Sequence, residues 1–324
     1  MITCPVCEDQ TWREFLLAAD MYNGVRHRIL RCGTCGLAQT EDGAEASSPE
    51  SYVYQGSPDA GHRFGPMQWV LRLFRKKRMS ALSMKGVGCV LDVGCGDGSF
   101  LEALEQEGWD VNGTELSAPI AATARERLGD RIHVGGIGEA GFSSNSFNLI
   151  TFWHVLEHLE DPRHALSEAG RLLKSDGRIV VAVPNINSWQ AGWFGGEWLH
   201  LDVPRHRWHF SPETLGTLAG RCGLHVESVR YFSLEYGPFA VLQGVATKCG
   251  LGHALFTRLV RLSPVRLACD PLFWAHIPLL LFAVVPSLLL ELLASFNGRG
   301  GTIEMILRGA DPSSMKSEGG TTPE

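Results

Sequence analysis

The chain has 324 residues, 44% of them hydrophobic, which suffices for a buried core in one large domain with attachments or in two domains. Its formal net charge of -6 gives no general attraction to nucleic acid, so we expect no nucleic-acid partner. Residues 1–20 lack the basic stretch and apolar core of a secretory signal peptide, so we expect a cytoplasmic protein with reduced cysteines.

Two closely spaced cysteine pairs near the N-terminus follow the pattern C-x2-C-x24-C-x2-C. Four thiolates presented by two tight turns can complete a tetrahedral shell around zinc, so residues 1–40 are predicted to form a zinc-ribbon module with a structural ion. Iron held as in rubredoxin stays open, because the ligand type alone does not separate the two metals. A redox site is the weaker alternative, because a closed shell of four sulfurs leaves no open coordination position. The predicted ligands are Cys4, Cys7, Cys32 and Cys35.

The rest of the chain divides into segments of distinct composition. Residues 41–61 are polar and rich in Ser, Pro and Gly, which predicts a linker. Within residues 62–237, strand-like apolar runs alternate with helical runs, one of them at 162–177, and this alternation predicts a parallel, doubly wound α/β sheet. An apolar helical insertion, one further strand and a tail disordered by composition follow at 238–297, 298–310 and 311–324.

The stretch VLDVGCGDGSFL, residues 90–101, places three glycines directly after a predicted strand. In an open α/β sheet such a loop lets backbone amides approach a ligand at a helix N-terminus. The dinucleotide pattern G-x-G-x-x-G is absent, and Asp92 and Asp97 would repel a pyrophosphate but attract a cofactor with an ammonium and a sulfonium group. Glu115, 23 positions after Asp92, ends the second strand, where an acid can accept hydrogen bonds from ribose hydroxyls.

Four motifs in this order, LDVGCGDGSF, GTELS, FNLITFWHVLEHLEDP and LLKSDGRIVVAVPN, resemble the successive motifs of class I S-adenosylmethionine-dependent methyltransferases. The resemblance implies a Rossmann-like, seven-stranded sheet whose last strand is antiparallel. It also implies that the glycine loop surrounds the methionine part of S-adenosylmethionine, that Glu115 binds the ribose, and that the stretch from Gly136 to Glu139 contacts the adenine. The predicted cofactor-binding residues are Asp92, Gly94, Cys95, Gly96, Glu115, Leu116, Gly138, Trp153 and His154.

Methyl transfer from a sulfonium is an in-line displacement, so the protein has to position and desolvate the acceptor and, for a hydroxyl, remove a proton. Histidine suits proton removal. His158 with Glu157 resembles the E-H pair of ubiquinone-pathway O-methyltransferases, in which a divalent metal can assist; local packing is the alternative. His206 and His209 are further candidates, and the alternative for them is a structural role in a loop held by Arg205 and Asp202. The predicted catalytic residues are His158, His206 and His209.

Two functions of different class follow from these patterns. The first is an active methyltransferase for a small-molecule or lipid-linked acceptor, with O-methylation in quinone or cell-envelope saccharide metabolism as an example. The second is a non-catalytic zinc-ribbon adaptor whose Rossmann-like domain binds the cofactor or a partner without turnover. The intact glycine loop and Glu115 favour the enzyme, because an adaptor has no physical need for either.

The segment PLFWAHIPLLLFAVVPSLLL, residues 271–290, has no Asp, Glu, Lys or Arg, and about 20 such residues are enough to cross a bilayer. A single crossing would separate the final strand from the glycine loop. With Pro278 and Pro286 able to kink a helix, we expect a re-entrant or interfacial hairpin on the inner face of the membrane. Basic residues lie beside an apolar helical face at 67–78; such a charge run is usually a solvated face, and contact with anionic lipid is the alternative. A soluble helical lid is the alternative.

Overall fold

The computed structural model describes residues 3–21, 23–41, 88–234, 236–248 and 271–309. Several predicted features lie outside these residues: the linker from residue 42, the basic helical face at 67–78, the middle of the apolar insertion at 249–270 and the tail at 311–324.

The strands of the described residues are β1 (Trp12–Ala19), β2 (Arg26–Cys32), β3 (Ala38–Thr40), β4 (Cys89–Val93), β5 (Asp110–Glu115), β6 (Ile132–Val134), β7 (Phe147–Trp153), β8 (Leu173–Pro184), β9 (Trp208–His209), β10 (Leu224–Arg230) and β11 (Thr302–Gly309). The α-helices are α1 (Ser99–Gln106), α2 (Ala118–Leu128), α3 (Pro162–Leu172), α4 (Trp189–Phe194), α5 (Pro212–Arg221), α6 (Gly237–Lys248) and α7 (Pro271–Phe296).

A seven-stranded sheet forms the centre of the described structure, with strand order β10-β11-β8-β7-β4-β5-β6. The strands from β8 to β6 in this order are parallel, whereas β11 is antiparallel to both β8 and β10. Strand β7 and the second half of β8, residues 179–184, are mostly apolar and buried, which is typical of parallel strands covered on both faces. The predicted Rossmann-like sheet with an antiparallel last strand is confirmed.

The prediction of a helix over 162–177 is wrong at its C-terminal end. Helix α3 begins at Pro162 and is capped by the Asp161 side chain, which accepts a hydrogen bond from the His164 amide. The helix ends at Leu172. The next residues extend β8, whose Leu173 pairs with Phe147 of β7. Pairing along the neighbouring strand therefore prevails over the helical pattern, in a stretch where Asp and Gly are weak helix formers.

The N-terminal strands form a second sheet of order β1-β2-β3-β9. Its last strand, β9, comes from the chain that follows the large sheet, and Ala38 pairs with His209 across this junction. Buried Cys4 and Leu37 belong to the same hydrophobic cluster as the residues that cover β8. The predicted zinc-ribbon module is thus completed by a strand from the rest of the chain and packs directly on the large sheet.

In its described residues, the apolar insertion contains the helices α6 and α7, which pack against each other. In chain order they come between β10 and β11. Helix α7 continues through both Pro278 and Pro286. Among the residues that the structure describes, no helix has the combination of length and apolar character needed to cross a membrane. Ser287, Glu291 and Ala294 are buried on the inner side of α7, whereas its outer side exposes apolar residues.

Candidate active site

The carboxyl ends of the parallel strands β4, β5, β7 and β8 lie at one edge of the large sheet. The loops that follow these strands carry the glycine-rich motif, the GTELS motif and the histidine pair, so residues from three separate motifs converge there. This edge is where open α/β sheets bind their ligands.

The glycine-rich loop has a left-handed backbone at Gly94, Gly96 and Gly98. Gly94 has a φ of 70° and Gly96 a φ of 57°, in the left-handed region that side chains disfavour. A Cβ on Gly94 would also lie 2.5 Å from a methyl carbon of Val155 in the loop after β7. The Gly94 and Cys95 amides donate to the Thr114 carbonyl at 2.8 and 3.0 Å. The loop is therefore held tightly between the two neighbouring strand ends.

The acids at this edge are both held by hydrogen bonds. Asp92 is buried, and the Thr151 hydroxyl donates to its Oδ1 at 2.6 Å. The Glu115 carboxylate accepts from the Gly96 amide at 3.1 Å and from the Ser117 amide at 2.9 Å, one to each oxygen. Each carboxylate oxygen has a second lone pair, so Glu115 can accept a ligand hydroxyl while it keeps the loop in place.

The other predicted cofactor contacts lie around the same edge. Burial, with the charges of nearby carboxylates, raises the pKa of the Cys95 thiol far above its ordinary value, so this side chain is a neutral packing group. Trp153 packs edge-on against Phe100, with ring centroids 5.9 Å apart. Leu116 is 43% exposed after β5, and Gly138 lies exposed in the loop after β6. Their contacts with the cofactor stay predictions.

His154 adopts a left-handed backbone conformation, with a φ of 54°. Its Nδ1 lies 3.3 Å from Glu157 Oε1. Its ring packs at a tilt of 53° against that of Tyr236, which immediately precedes α6, with the ring centroids 4.2 Å apart. A non-glycine residue in this region costs about 1–3 kcal/mol and persists only where the surroundings hold it. Tyr236 was not predicted from the sequence, since nothing in its neighbours links it to His154.

His158 and His206 are brought together, with ring centroids 4.6 Å apart in an edge-to-face arrangement. His158 Nδ1 donates to the Arg205 carbonyl at 3.0 Å, and His206 Nδ1 donates to the His200 carbonyl at 2.9 Å. A carbonyl only accepts, so Nδ1 carries the hydrogen in both rings. In the neutral rings Nε2 is then the basic nitrogen, and burial lowers the pKa of His206 to about 4.

Glu157 lies beside this pair and is fully buried. Burial acts to raise the pKa of its carboxyl, but the hydrogen bond and charge of His154 outweigh burial and hold that pKa at about 2. One donor atom each from Glu157, His158 and His206 lies within 4.8 Å of the others. This donor set fits the divalent metal that the resemblance implies for the E-H pair, and such a metal polarises an acceptor hydroxyl.

His209 is placed differently from the other two predicted catalytic histidines. It is buried, and its Nε2 lies 3.0 Å from Thr40 Oγ1 of β3, which donates to the His206 carbonyl at 2.7 Å. Because the single hydroxyl hydrogen of Thr40 is used on that carbonyl, His209 Nε2 must donate to Thr40. Burial lowers the pKa of His209 to about 3, so the ring is neutral. His209 thus joins β9 to β3 within the small sheet, and its role as a base stays a prediction.

The loop that carries these histidines is held by the charges expected from the sequence. Arg205 donates to Asp202 through Nε at 3.0 Å and also through Nη2. Buried Asp20 at the end of β1 adds a carboxylate 3.5 Å from Arg205. The contribution of Asp20 and Thr40 was not predicted, because both lie far away in the chain and only the packing of the small sheet brings them here.

The N-terminal cysteines form a compact cluster. The Cys4 and Cys35 sulfurs are 3.5 Å apart, the Cys7 and Cys32 sulfurs are 3.4 Å apart, and all four lie within 4.8 Å of one another. In a tetrahedral site with Zn–S bonds of about 2.3 Å, neighbouring sulfurs lie about 3.8 Å apart. The four thiols therefore fit a structural zinc ion.

A family model described as "Methyltransferase domain" matches residues 62–229, just over half of the chain. The chain belongs to this methyltransferase family. It is a class I S-adenosylmethionine-dependent methyltransferase, and its glycine loop and the acids Asp92 and Glu115 lie together at the carboxyl edge of the sheet. Family membership therefore supports the enzyme over the adaptor.

Two curated relatives of this methyltransferase carry the name ubiquinone biosynthesis O-methyltransferase. The protein of Pectobacterium atrosepticum is 28% identical over 173 residues, which cover 50% of this chain and 68% of that protein. The protein of Pseudomonas aeruginosa is 29% identical over 181 residues, which cover 52% of this chain and 77% of that protein. A solved methyltransferase structure from Archaeoglobus fulgidus aligns with a TM-score of 0.47 and 19% identity, covering 77% of this chain and 97% of that one.

Proposed function

We propose that this methyltransferase moves the methyl group of S-adenosylmethionine to a hydroxyl oxygen of a small-molecule or lipid-linked acceptor, in quinone or cell-envelope saccharide metabolism. The observation that carries the proposal is the pair of histidines, His158 and His206, whose Nδ1 atoms are anchored on backbone carbonyls beside the cofactor edge. The relatives named as O-methyltransferases support the same acceptor atom.

The cofactor would be held by the two acids and the glycine loop. Asp92, fixed by Thr151, would attract the ammonium group, and Glu115 would accept from the ribose hydroxyls. In the transfer step the acceptor oxygen attacks the methyl carbon as the carbon–sulfur bond breaks. The hydroxyl proton passes to Nε2 of His158 or His206, and the products are a methyl ether and S-adenosylhomocysteine.

The cofactor site predicts that Asp92→Ala and Glu115→Ala each weaken S-adenosylmethionine binding by about tenfold or more, because a charge-assisted hydrogen bond contributes about 1.5–3 kcal/mol. Titration calorimetry measures this change. Asp110→Ala, which removes an exposed acid from the opposite end of β5, is the matched control and should bind like the parent. Unchanged affinity in both site variants would place the cofactor elsewhere.

The acceptor is identified by incubating the protein with methyl-labelled S-adenosylmethionine and cell extract, and by searching the lipid and water-soluble fractions for labelled products by mass spectrometry. Label in a methyl ether supports the proposal. Label on carbon or nitrogen would contradict the choice of a hydroxyl acceptor. Normal cofactor binding with no label in any fraction would favour the non-catalytic alternative.

The cysteine cluster is proposed to hold one structural zinc ion per chain. The spacing of its sulfurs supports four-sulfur coordination, and the module beside it is small, so it has little core of its own. A bound ion would hold Cys32 at the end of β2 and Cys35 just before β3, and so stabilise the strand that carries Thr40.

Attachment to the inner face of the membrane is proposed for helix α7. Polar residues in its C-terminal half, among them Glu291, are directed inward. On its outer side, exposed apolar residues recur every three or four positions and so form a stripe along one helix face. The neighbouring residues 249–270 carry three arginines and a single acid, which complements an anionic lipid surface. The exposed stripe consists of Phe282, Val285, Leu289, Leu293 and Phe296.

The proposed attachment predicts that the protein floats with vesicles of phosphatidylglycerol and phosphatidylethanolamine in a density gradient. Replacing both Phe282 and Phe296 by serine should reduce the bound fraction more than tenfold, since burying one such side chain contributes about 1.5–3 kcal/mol. Leu17→Ser, which removes an exposed apolar residue from β1, is the control and should bind like the parent. Recovery of the parent away from the vesicles would rule out the lipid surface, and a dimer in light scattering would assign the stripe to a second copy.

A further inference from the structure

We propose that Arg207 binds an oxyanion, a phosphate or a carboxylate group, that the methyl acceptor carries. The inference deepens the proposed function, because it adds a charged group to the hydroxyl acceptor. Anion binding is nevertheless measured without any acceptor, so the two proposals fail separately.

Arg207 is a buried cation with a donor to spare. Its Nη1 atom is buried and has no hydrogen-bond partner among the described residues. The carboxylate of Glu160 lies 4.0 Å from this atom, beyond hydrogen-bond distance, and the Glu160 side chain is almost fully exposed to solvent. Arginine is rarely buried without a partner, because a charge that leaves water has to be compensated. The guanidinium of Arg207 is therefore suited to a ligand of negative charge.

Two other partly buried arginines show the usual compensation. Arg178, with 19% of its side chain exposed, donates to both carboxylate oxygens of Glu227, at 2.7 and 2.9 Å. Arg205, with 20% exposed, donates twice to Asp202. The side chain of Arg207 is only 10% exposed, yet no described acid pairs with it in this way. The protein thus supplies a carboxylate to two less buried cations and leaves Arg207 for a ligand.

The surroundings of Arg207 hold it in place before any ligand binds. Its amide donates to the Glu157 carbonyl at 2.9 Å, and its carbonyl accepts from the Thr40 amide at 3.0 Å. The guanidinium carbon lies 5.6 Å from the centroid of the Trp208 ring, within the range of a cation–π attraction. The indole nitrogen of Trp208 donates to the Leu159 carbonyl at 2.9 Å, which fixes that ring. A group held in this way loses little conformational freedom when it binds.

The position of Arg207 links the anion to the methyl acceptor. Arg207 directly follows His206 in the chain, and the Glu157 carbonyl that accepts from its amide belongs to the residue before His158. The rings of His158 and His206, the proposed proton acceptors, lie 4.6 Å apart. Arg207 therefore belongs to the same hydrogen-bonded unit as these histidines, which points to the acceptor as the carrier of the anion.

The guanidinium group selects the class of ligand. It is planar and positively charged, and its donors form a fork that matches two oxygens of a carboxylate or a phosphate. A neutral analogue of the acceptor would leave the charge of Arg207 without a partner in a buried position. Arg207 would therefore also select anionic acceptors over neutral ones.

The proposal is tested by thermal unfolding of the full chain in increasing inorganic phosphate, and separately in acetate, at constant ionic strength. An anion that binds only the folded protein raises its Tm. We expect a saturable rise in the parent and an apparent affinity weaker by at least about tenfold in Arg207→Gln, because a hydrogen bond to a charged group is lost. Arg127→Gln, which removes a surface arginine paired with Glu102, is the matched control and should respond like the parent. The same response in Arg207→Gln as in the parent, or no saturable response to either anion, would overturn the proposal.

A second variant separates ligand binding from a structural role. Arg207→Met keeps an unbranched side chain but removes the charge. Without added anion its Tm should equal or exceed that of the parent, because a buried charge without a partner destabilises the folded state. A lower Tm in this variant would mean that the guanidinium stabilises the fold and would contradict the proposal.

The labelled products decide whether the acceptor carries the anion. The methylated product formed from cell extract should be retained by an anion-exchange resin at neutral pH. Arg207→Gln should form at least about tenfold less of it, while its affinity for S-adenosylmethionine in calorimetry stays that of the parent. An uncharged product would overturn the assignment of the anion to the acceptor. Absence of any labelled product would count against the proposed function, and the phosphate and acetate titrations alone would then decide the anion site.

Discussion

Replacing Cys4 by serine is expected to abolish metal binding at the N-terminal cluster and to unfold the strands around it. A closed four-sulfur shell loses most of its affinity when one thiolate is removed, and in zinc-finger peptides metal binding contributes about 10–16 kcal/mol that is also folding free energy. Elemental analysis should then find no stoichiometric zinc, against one ion per chain in the parent.

Hydrogen exchange locates the expected damage. The Thr40 amide donates to the Arg207 carbonyl at 3.0 Å, so it reports the junction between β3 and the histidine loop. Its protection should fall in Cys4→Ser, whereas amides in the centre of β7 should stay protected. Cys222→Ser is the control, since that sulfur donates a hydrogen bond to the Arg163 carbonyl, which a serine hydroxyl can also do. Full zinc content, or unchanged protection at Thr40, would contradict a structural metal site.

Glu291→Ala is expected to lower the free energy of unfolding by about 3–5 kcal/mol, because it removes the acceptor of two buried donors and leaves a cavity. Glu291 lies on the inner side of α7 and accepts from Gln190 Nε2 at 2.6 Å and from the Gly301 amide at 2.9 Å. Gln190 also donates to the Gly237 carbonyl at 3.1 Å, so this group of residues joins α4, α6, α7 and the approach to β11.

Urea unfolding followed by circular dichroism measures this loss. Glu126→Ala, on the exposed face of α2, removes the same side chain where it is solvated and should change stability by no more than about 0.5 kcal/mol. A single net hydrogen bond contributes about 1 kcal/mol. If the free energy of unfolding of Glu291→Ala differed from that of the parent by less than this amount, water would have replaced the lost acceptor. Helix α7 would then be held by its apolar contacts rather than by the carboxylate.

The sequence by itself determined the features that depend on residues close together in the chain. Gly94 and Gly96 mark a strand-to-helix turn because their backbone angles are a local requirement. The cysteine pairs define two tight turns in the same way. The alternation of apolar strands and helices predicted the parallel sheet, and the motif order, by resemblance, implied the antiparallel last strand. Local φ and ψ preferences and apolar periodicity suffice for features of this kind.

Only the tertiary structure decided which distant residues meet. Helix α3 ends at Leu172 because the following residues pair with β7, a register that no local preference encodes. Asp92 meets Thr151, and Thr40 meets His209, across 59 and 169 positions of the chain. A threonine has the same local propensity whether or not it faces a carboxylate, so such contacts follow from strand order and packing. The inward direction of Glu291 in an otherwise apolar helix has the same origin, because the buried amide it accepts from belongs to the loop before β11.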